Sequence, residues 1–190
     1  MDEIETKRLY LRLFKPDDLE DLFLIRSDPN VMRYMGDGKP LSREQVSENL
    51  ARIIQHYRDR HFGLWAVIYK HNSQLTGYCG LQFFKQPPET TPDSILLSYM
   101  FAKPYWGKGL ATEGAKASLR YGFETLKLER IVAFADTENL ASLRVMEKVG
   151  MKYEKQVASR YYNRNLTYYA ISRQAYKPED CSYILRAVDF

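Results

Sequence analysis

Leu9, Leu11 and Leu13 alternate with Tyr10, Arg12 and Phe14, the period of two that sets one face of a strand on a core. Pro16, Asp17 and Asp18 then give a helix start. Leu19, Leu22, Phe23 and Arg26 follow at helical spacing, and Pro29 marks where that helix must have ended. Ser42-Arg43-Glu44-Gln45 has the form of a capping box, and Val46, Leu50, Ile53, Ile54 and Tyr57 recur behind it on one helical face, which predicts a second helix. Leu64 to Tyr69 and Leu75 to Phe83 read as strands. The break His71-Asn72-Ser73 is too short for a crossover, so the two must form an antiparallel hairpin. Another strand, Ile95 to Phe101, follows the loop that holds Pro87, Pro88 and Pro92.

Between Gly109 and Leu126 the positions Ala115, Leu119, Gly122, Phe123 and Leu126 return to helical spacing, and Arg130 to Ala135 is strand-like, which makes a strand, helix, strand unit. A further helix is predicted over Asn139 to Lys148, where Ser142, Val145, Met146 and Val149 share a face and Gly150 supplies the stop. Aromatic-rich segments around Tyr161 and Tyr168 suit two closing antiparallel strands. The chain shows no repeat, low-complexity tract or linker, so the pattern predicts one α+β domain, a mixed sheet with helices inserted early and late.

Composition narrows the class without naming a function. At 190 residues, 45% hydrophobic and 27% charged, the chain suits one sizeable core. The net charge of +4 is spread among acidic residues instead of gathered into a basic tail, which does not indicate a polyanion partner. The excess suits an anionic cofactor and an ordinary solvated surface equally well. Cys79 and Cys181 lie far apart with no histidine cluster beside them, so both read as reduced thiols and no zinc site is expected. No apolar signal stretch or spanning run is present, and cytoplasmic residence without membrane attachment is the expectation.

The segment richest in chemistry runs from Tyr99 to Glu113: a strand, the turn Trp106-Gly107-Lys108-Gly109, and a helix start. Small residues there let a backbone approach a ligand closely, and the unpaired amides of a helix N-terminus face anionic oxygens. The pattern is not a dinucleotide fingerprint, because Thr112 stands where Gly or Ala is required and Glu129 precedes the next strand instead of ending it. Nor is it a Walker A loop, since Lys108 is followed by Gly109 and not by Ser or Thr. An isolated Gly-x-Gly is otherwise an ordinary turn.

Three ordered motifs resolve that choice. Thr6-Lys7-Arg8-Leu9-Tyr10-Leu11-Arg12, Tyr105 to Glu113, and Asn139-x-x-Ser142 with Glu147-Lys148-x-Gly150 together resemble the GNAT superfamily of N-acetyltransferases, in the branch of the ribosomal-protein N-terminal acetyltransferases. The resemblance spans nearly the whole chain. It implies a twisted, mostly antiparallel sheet of about seven strands flanked by about four helices, splayed at the acyl-coenzyme A site. It implies a single N-acetyltransferase domain over 1–190, with a core over 6–175 and an extension over 176–190. Acetyl-CoA is the implied cosubstrate, and no metal is implied. Backbone groups of Tyr99, Met100 and Phe101 would pair with the pantetheine arm, and main-chain amides from Trp106, Gly107, Lys108, Gly109, Leu110, Ala111 and Thr112 would hold the pyrophosphate. Asn139 and Ser142 would face the thioester end, and Lys148 or Lys108 would meet outer phosphates. By residue type alone Asn139 is also a good N-cap.

The implied reaction is direct attack of an amine on the thioester, with no covalent enzyme intermediate. A backbone N–H at Met100 or Phe101 would polarise the carbonyl. The acid and base are not readable: the carboxylate of many relatives falls at Leu96 and their proton-donating tyrosine at Met146, and neither side chain titrates. Asp93, Glu113, one of the 15 tyrosines or a water remain open as the base. A rival reading is a binding protein that keeps the acyl-CoA pocket without turnover. A third, nucleic-acid binding through Arg160-Tyr161-Tyr162-Asn163-Arg164, rests on stacking and phosphate pairing and suits the pattern less well than a sheet edge lining the acceptor site. The segment from Tyr34 to Pro40 and the last two strands would select the acceptor, a protein N-terminus or a small-molecule amine. A homodimer is compatible.

Overall fold

A computed structural model describes residues 2–84, 94–159, 163–178 and 182–188. Among the described residues nine strands form one sheet: β1 (Asp2–Thr6), β2 (Leu9–Arg12), β3 (Leu64–Tyr69), β4 (Gln74–Phe84), β5 (Ser94–Phe101), β6 (Arg130–Asp136), β7 (Lys152–Ser159), β8 (Arg164–Ser172) and β9 (Tyr183–Ala187). The order across the sheet is β7-β8-β6-β5-β4-β3-β2-β1-β9. Every neighbouring pair is antiparallel except β5 and β6. That exception follows from connectivity, because a strand, helix, strand crossover returns the chain in its original direction.

Five α-helices among the described residues join it: α1 (Leu19–Arg26), α2 (Pro29–Met32), α3 (Arg43–Arg60), α4 (Leu110–Arg120) and α5 (Leu140–Lys148). The predicted capping box at α3 is present, with the Gln45 amide donating to Ser42 Oγ at 3.3 Å and the Ser42 amide donating to Gln45 Oε1 at 2.8 Å. Pro29 ends one helix and begins another: it opens α2 behind Asp28, whose carboxylate accepts from the Asn30 amide at 2.8 Å. The helix expected over Gly109 to Leu126 is α4 followed by a π-helical turn, Tyr121–Thr125.

The expected strand and helix counts are therefore too low. The two strands missed at the far edge are β1 and β9, which pair over five residues from Asp2↔Ala187 to Thr6↔Tyr183, so residues 183–187 contribute to the sheet. β9 has no fully buried position, and so carries no alternation to read. The first of the two closing strands is β7, which ends at Ser159; Tyr161 lies outside the described residues, as do Asp93, Pro87, Pro88, Pro92, Arg160, Tyr162 and Cys181.

Leu97, Ile131, Ala133 and Ile171 belong to the main core, while Leu96, Val132 and Ala170 form a second apolar cluster with Phe84 and Phe134. The alternation along β5, β6 and β8 puts the two clusters on opposite faces of the sheet.

Candidate active site

The sheet opens between β5 and β6. Leu96 pairs with Val132, and among the described residues no other pair joins the two strands. Beyond it both strands run on, to Phe101 and to Asp136, without bonding to each other. The resulting cleft is lined from β5 by Leu96, Leu97, Ser98 and Tyr99, and from β6 by Phe134, Ala135 and Asp136. Asn139, Ser142 and Met146 of α5 close one side, and Tyr34, Met35 and Gly36, after α2, close another. The cleft thus passes between residues of both sheet faces.

Its α5 side is fixed by hydrogen bonds. The Tyr99 hydroxyl donates to the Ser142 carbonyl at 2.9 Å and lies 3.0 Å from Ser142 Oγ. Asn139 caps α5, its Oδ1 accepting from the Ser142 amide at 3.2 Å, so the capping role and a place in the cleft coincide in one residue.

The predicted pyrophosphate loop leaves the C-terminal end of β5. Gly107 and Gly109 take φ values of 71° and 76°, in the left-handed region that side chains disfavour. A Cβ at Gly107 would touch nothing, so conformation and not space calls for glycine there. Gly109 is the N-cap of α4 and provides no side-chain cap, and the first backbone bond of the helix runs from the Glu113 amide to the Gly109 carbonyl at 3.1 Å. The amides of Leu110, Ala111 and Thr112 are left without intrahelical acceptors at a positive helix end. These features fit a pyrophosphate. Leu110 itself is buried and anchors the loop to the core, and Trp106 folds back so that its Nε1 donates to the Phe101 carbonyl at 2.6 Å.

Of the residues expected to hold the coenzyme, Tyr99, Asn139 and Ser142 meet in the cleft, while Trp106 to Thr112 form the separate loop beyond it. Met100 and Phe101 have buried side chains, leaving only their backbone to a ligand. Lys148 does not line the cleft: it ends α5, beyond Met146. Leu96 and Met146 do line it, and neither offers an acid or a base.

Glu113 does not line the cleft. Its Oε1 accepts from the Thr6 hydroxyl at 2.7 Å and the Arg8 amide at 2.8 Å, and its Oε2 from Arg8 Nε at 2.6 Å. Burial works against its charge, but these bonds together hold its carboxyl below the usual range. Among the described residues, the carboxylate that does line the cleft is Asp136, which sequence reasoning missed. Its Oδ1 accepts from the Glu138 amide at 2.9 Å and its Oδ2 from Arg164 Nη1 at 2.8 Å. An aspartate closing a strand before Thr137 reads as an ordinary turn residue, and nothing local distinguishes it. Arg164, from the segment considered for nucleic acid, spends its charge on this pair. Among the described residues no group of side chains has metal-ligand form, and no helix is long and apolar enough to cross a membrane.

Comparison with known proteins agrees with this geometry. Residues 8–152 match the acetyltransferase (GNAT) domain family. The uncharacterized N-acetyltransferase YnaD of Bacillus subtilis strain 168 is 33% identical over 80% of this chain and 83% of its own length. Spermidine N(1)-acetyltransferase of Escherichia coli K12 is 24% identical over 80% of this chain and 77% of its own. The crystal structure of a GNAT-family acetyltransferase from Bacillus anthracis superposes with a TM-score of 0.76 at 30% identity, covering 90% of this chain and 99% of that one. The chain belongs to the GNAT acetyltransferase family. It is an acetyl-CoA-dependent acetyltransferase.

Proposed function

We propose that the protein transfers the acetyl group of acetyl-CoA to a primary amine, of a protein N-terminus or a small molecule, by direct attack within a ternary complex. The observation that carries this reading is the Leu96–Val132 pairing, the one that joins β5 and β6 among the described residues, past which β5 offers an unpaired edge to a pantetheine arm while the uncapped first amides of α4 offer donors to a pyrophosphate. Asn139 and Ser142 stand beside the thioester end of that path, and a β5 amide at Met100 or Phe101 polarises the carbonyl.

An acceptor amine arrives as an ammonium and must lose a proton before it attacks. Asp136 is the carboxylate that the described residues bring to the cleft, with Arg164 holding its orientation. We assign it the proton: one N–H proton passes to Asp136, the C–N bond forms as the C–S bond breaks, and the second amine proton goes to the departing thiolate. The relative that acetylates spermidine is consistent with an amine acceptor.

The test is isothermal titration with acetyl-CoA, followed by thiol release against a panel of amines and N-terminal peptides. Binding with amine-dependent release is expected. Binding without release would remove the transfer and leave an acyl-CoA-binding protein, and absence of binding would remove the cofactor site itself.

A further inference from the structure

Arg8 sits in the turn between β1 and β2, yet its side chain reaches the coenzyme loop, where Nη1 donates to the Lys108 carbonyl at 2.8 Å. The same guanidinium binds Glu113 through Nε at 2.6 Å, and Glu113 is closed in from its other oxygen by Thr6 and the Arg8 amide. Nη2 lies 3.5 Å from the point a Cβ on Gly109 would occupy, so the guanidinium is packed beneath the loop. Taken as a surface ion pair this contact is unremarkable, because Arg8 is 39% exposed and such pairs contribute little stability. Its consequence for the loop is larger. A trans peptide is planar with its C=O and N–H pointing opposite ways, so holding the Lys108 carbonyl toward Arg8 aims the Gly109 N–H away from Arg8, out of the loop.

Glu113 adds a second requirement. It lies in the first turn of α4, whose N-terminus is the proposed phosphate cradle, and an unpaired carboxylate there would repel the ligand. Arg8 and Thr6 together absorb that charge. We infer that Arg8 is a positioning residue for coenzyme binding: it orients the Lys108–Gly109 peptide toward the pyrophosphate and neutralises Glu113 beneath it. This rests on the reading that the 106–112 loop holds the pyrophosphate of acetyl-CoA. It gives the Thr6-x-Arg8 pair of the opening motif a physical role.

The test compares wild type with Arg8→Gln and Arg8→Lys for three ligands: acetyl-CoA, 3′-dephospho-CoA and S-acetylpantetheine, the last lacking the pyrophosphate. Affinities come from calorimetry for the first two and a protein-observed NMR titration for the third. Both variants should bind the two pyrophosphate-bearing ligands about ten- to a hundredfold more weakly, the range of one lost charge-assisted hydrogen bond with its partner left unpaired. Affinity for S-acetylpantetheine should not change. Equal losses on all three ligands, no loss on any, or full retention by Arg8→Lys, which keeps the charge without the two-armed fork, would each overturn the inference. Should Arg8→Gln fail to fold, Arg8→Lys carries the same comparison, with a loss expected on the two pyrophosphate-bearing ligands and none on S-acetylpantetheine. Wild type that fails to bind acetyl-CoA at all would instead remove the underlying reading.

Discussion

The Tyr99 hydroxyl donates to the Ser142 carbonyl and thereby ties β5 to α5 across the opening of the sheet. Burial pushes the Tyr99 pKa up, with the Ser142 contact opposing it only in part, so the phenol stays protonated and serves as a donor. Tyr99 is thus excluded as the base that the sequence left open among its tyrosines. What it contributes is the spacing between the strand that would hold pantetheine and the helix that would face the thioester.

Replacing Tyr99 with Phe keeps the ring and removes this tie. The change should cost about 1 kcal/mol of stability, the net worth of one hydrogen bond with its partner able to find water. It should also raise KM for acetyl-CoA more than it lowers kcat, measured by thiol release. A fall in kcat of several orders with KM unchanged would mean that the hydroxyl acts on the reacting atoms.

Local signals carried much of this architecture. The capping box at Ser42, the hairpin around Asn72 and the loop from Trp106 to Thr112 each depend on residues a few positions apart, and each was legible in the sequence. β9 was not, because an edge strand with mainly exposed positions shows no alternation. The site was divided in the same way. The loop was readable, whereas the Arg8–Glu113 contact joins residues 105 apart and the Asp136–Arg164 contact residues 28 apart, and only the folded sheet brings either pair together.

Gly77 tests the strand side of the cleft. It pairs with Phe101, and a Cβ built on it would stand 1.9 Å from the Met100 carbonyl oxygen, which is backbone and has no flexible end to move. Gly77→Ala must therefore displace β5 at the residues proposed to pair with pantetheine. A loss of about 1–3 kcal/mol or more by denaturant unfolding is expected, as for overpacked cores, together with weaker acetyl-CoA binding. A variant of native stability would show that the strands separate without cost.

Cys79 gives a pH prediction. Its thiol is fully buried, 3.4 Å from Ser118 Oγ, and burial pushes its pKa from 9.0 up to about 12. The folded state therefore keeps a proton that the unfolded state gives up, and stability falls as pH rises above about 9, by about 1.4 kcal/mol per pH unit for one such group. Tyr10 and Tyr121, raised by burial from 10.0 to about 12, add to the slope above pH 10. Denaturant midpoints between pH 8 and 11 should trace this decline, and Cys79→Ala should delay its onset. Peptide-resolved alkylation should find Cys79 unmodified in the native protein at pH 8. Rapid labelling would contradict the burial on which the argument rests.

Asp136 and Arg164 carry the proton-transfer step of the proposed function. Their side chains are only 10% and 20% exposed, so the pair is screened less than a surface one, and each loses its partner if the other is removed. Asp136→Asn keeps the shape and the Glu138 amide contact while removing the proton acceptor. It should lower kcat by about 10²–10⁴-fold, the usual contribution of a general base, with KM for acetyl-CoA unchanged. The deficit should be greatest for alkylamines, which are ammonium ions at pH 7, and smaller for an arylamine that is already neutral. That contrast separates proton removal from mere positioning, which would penalise both acceptors alike. Arg164→Gln leaves the carboxylate in place but unheld, so the acceptor KM should rise with a smaller fall in kcat. If Asp136→Asn turned over alkylamines at the wild-type rate, the proton would have to leave by another route, and the β6 side of the cleft would be a wall with no part in the chemistry.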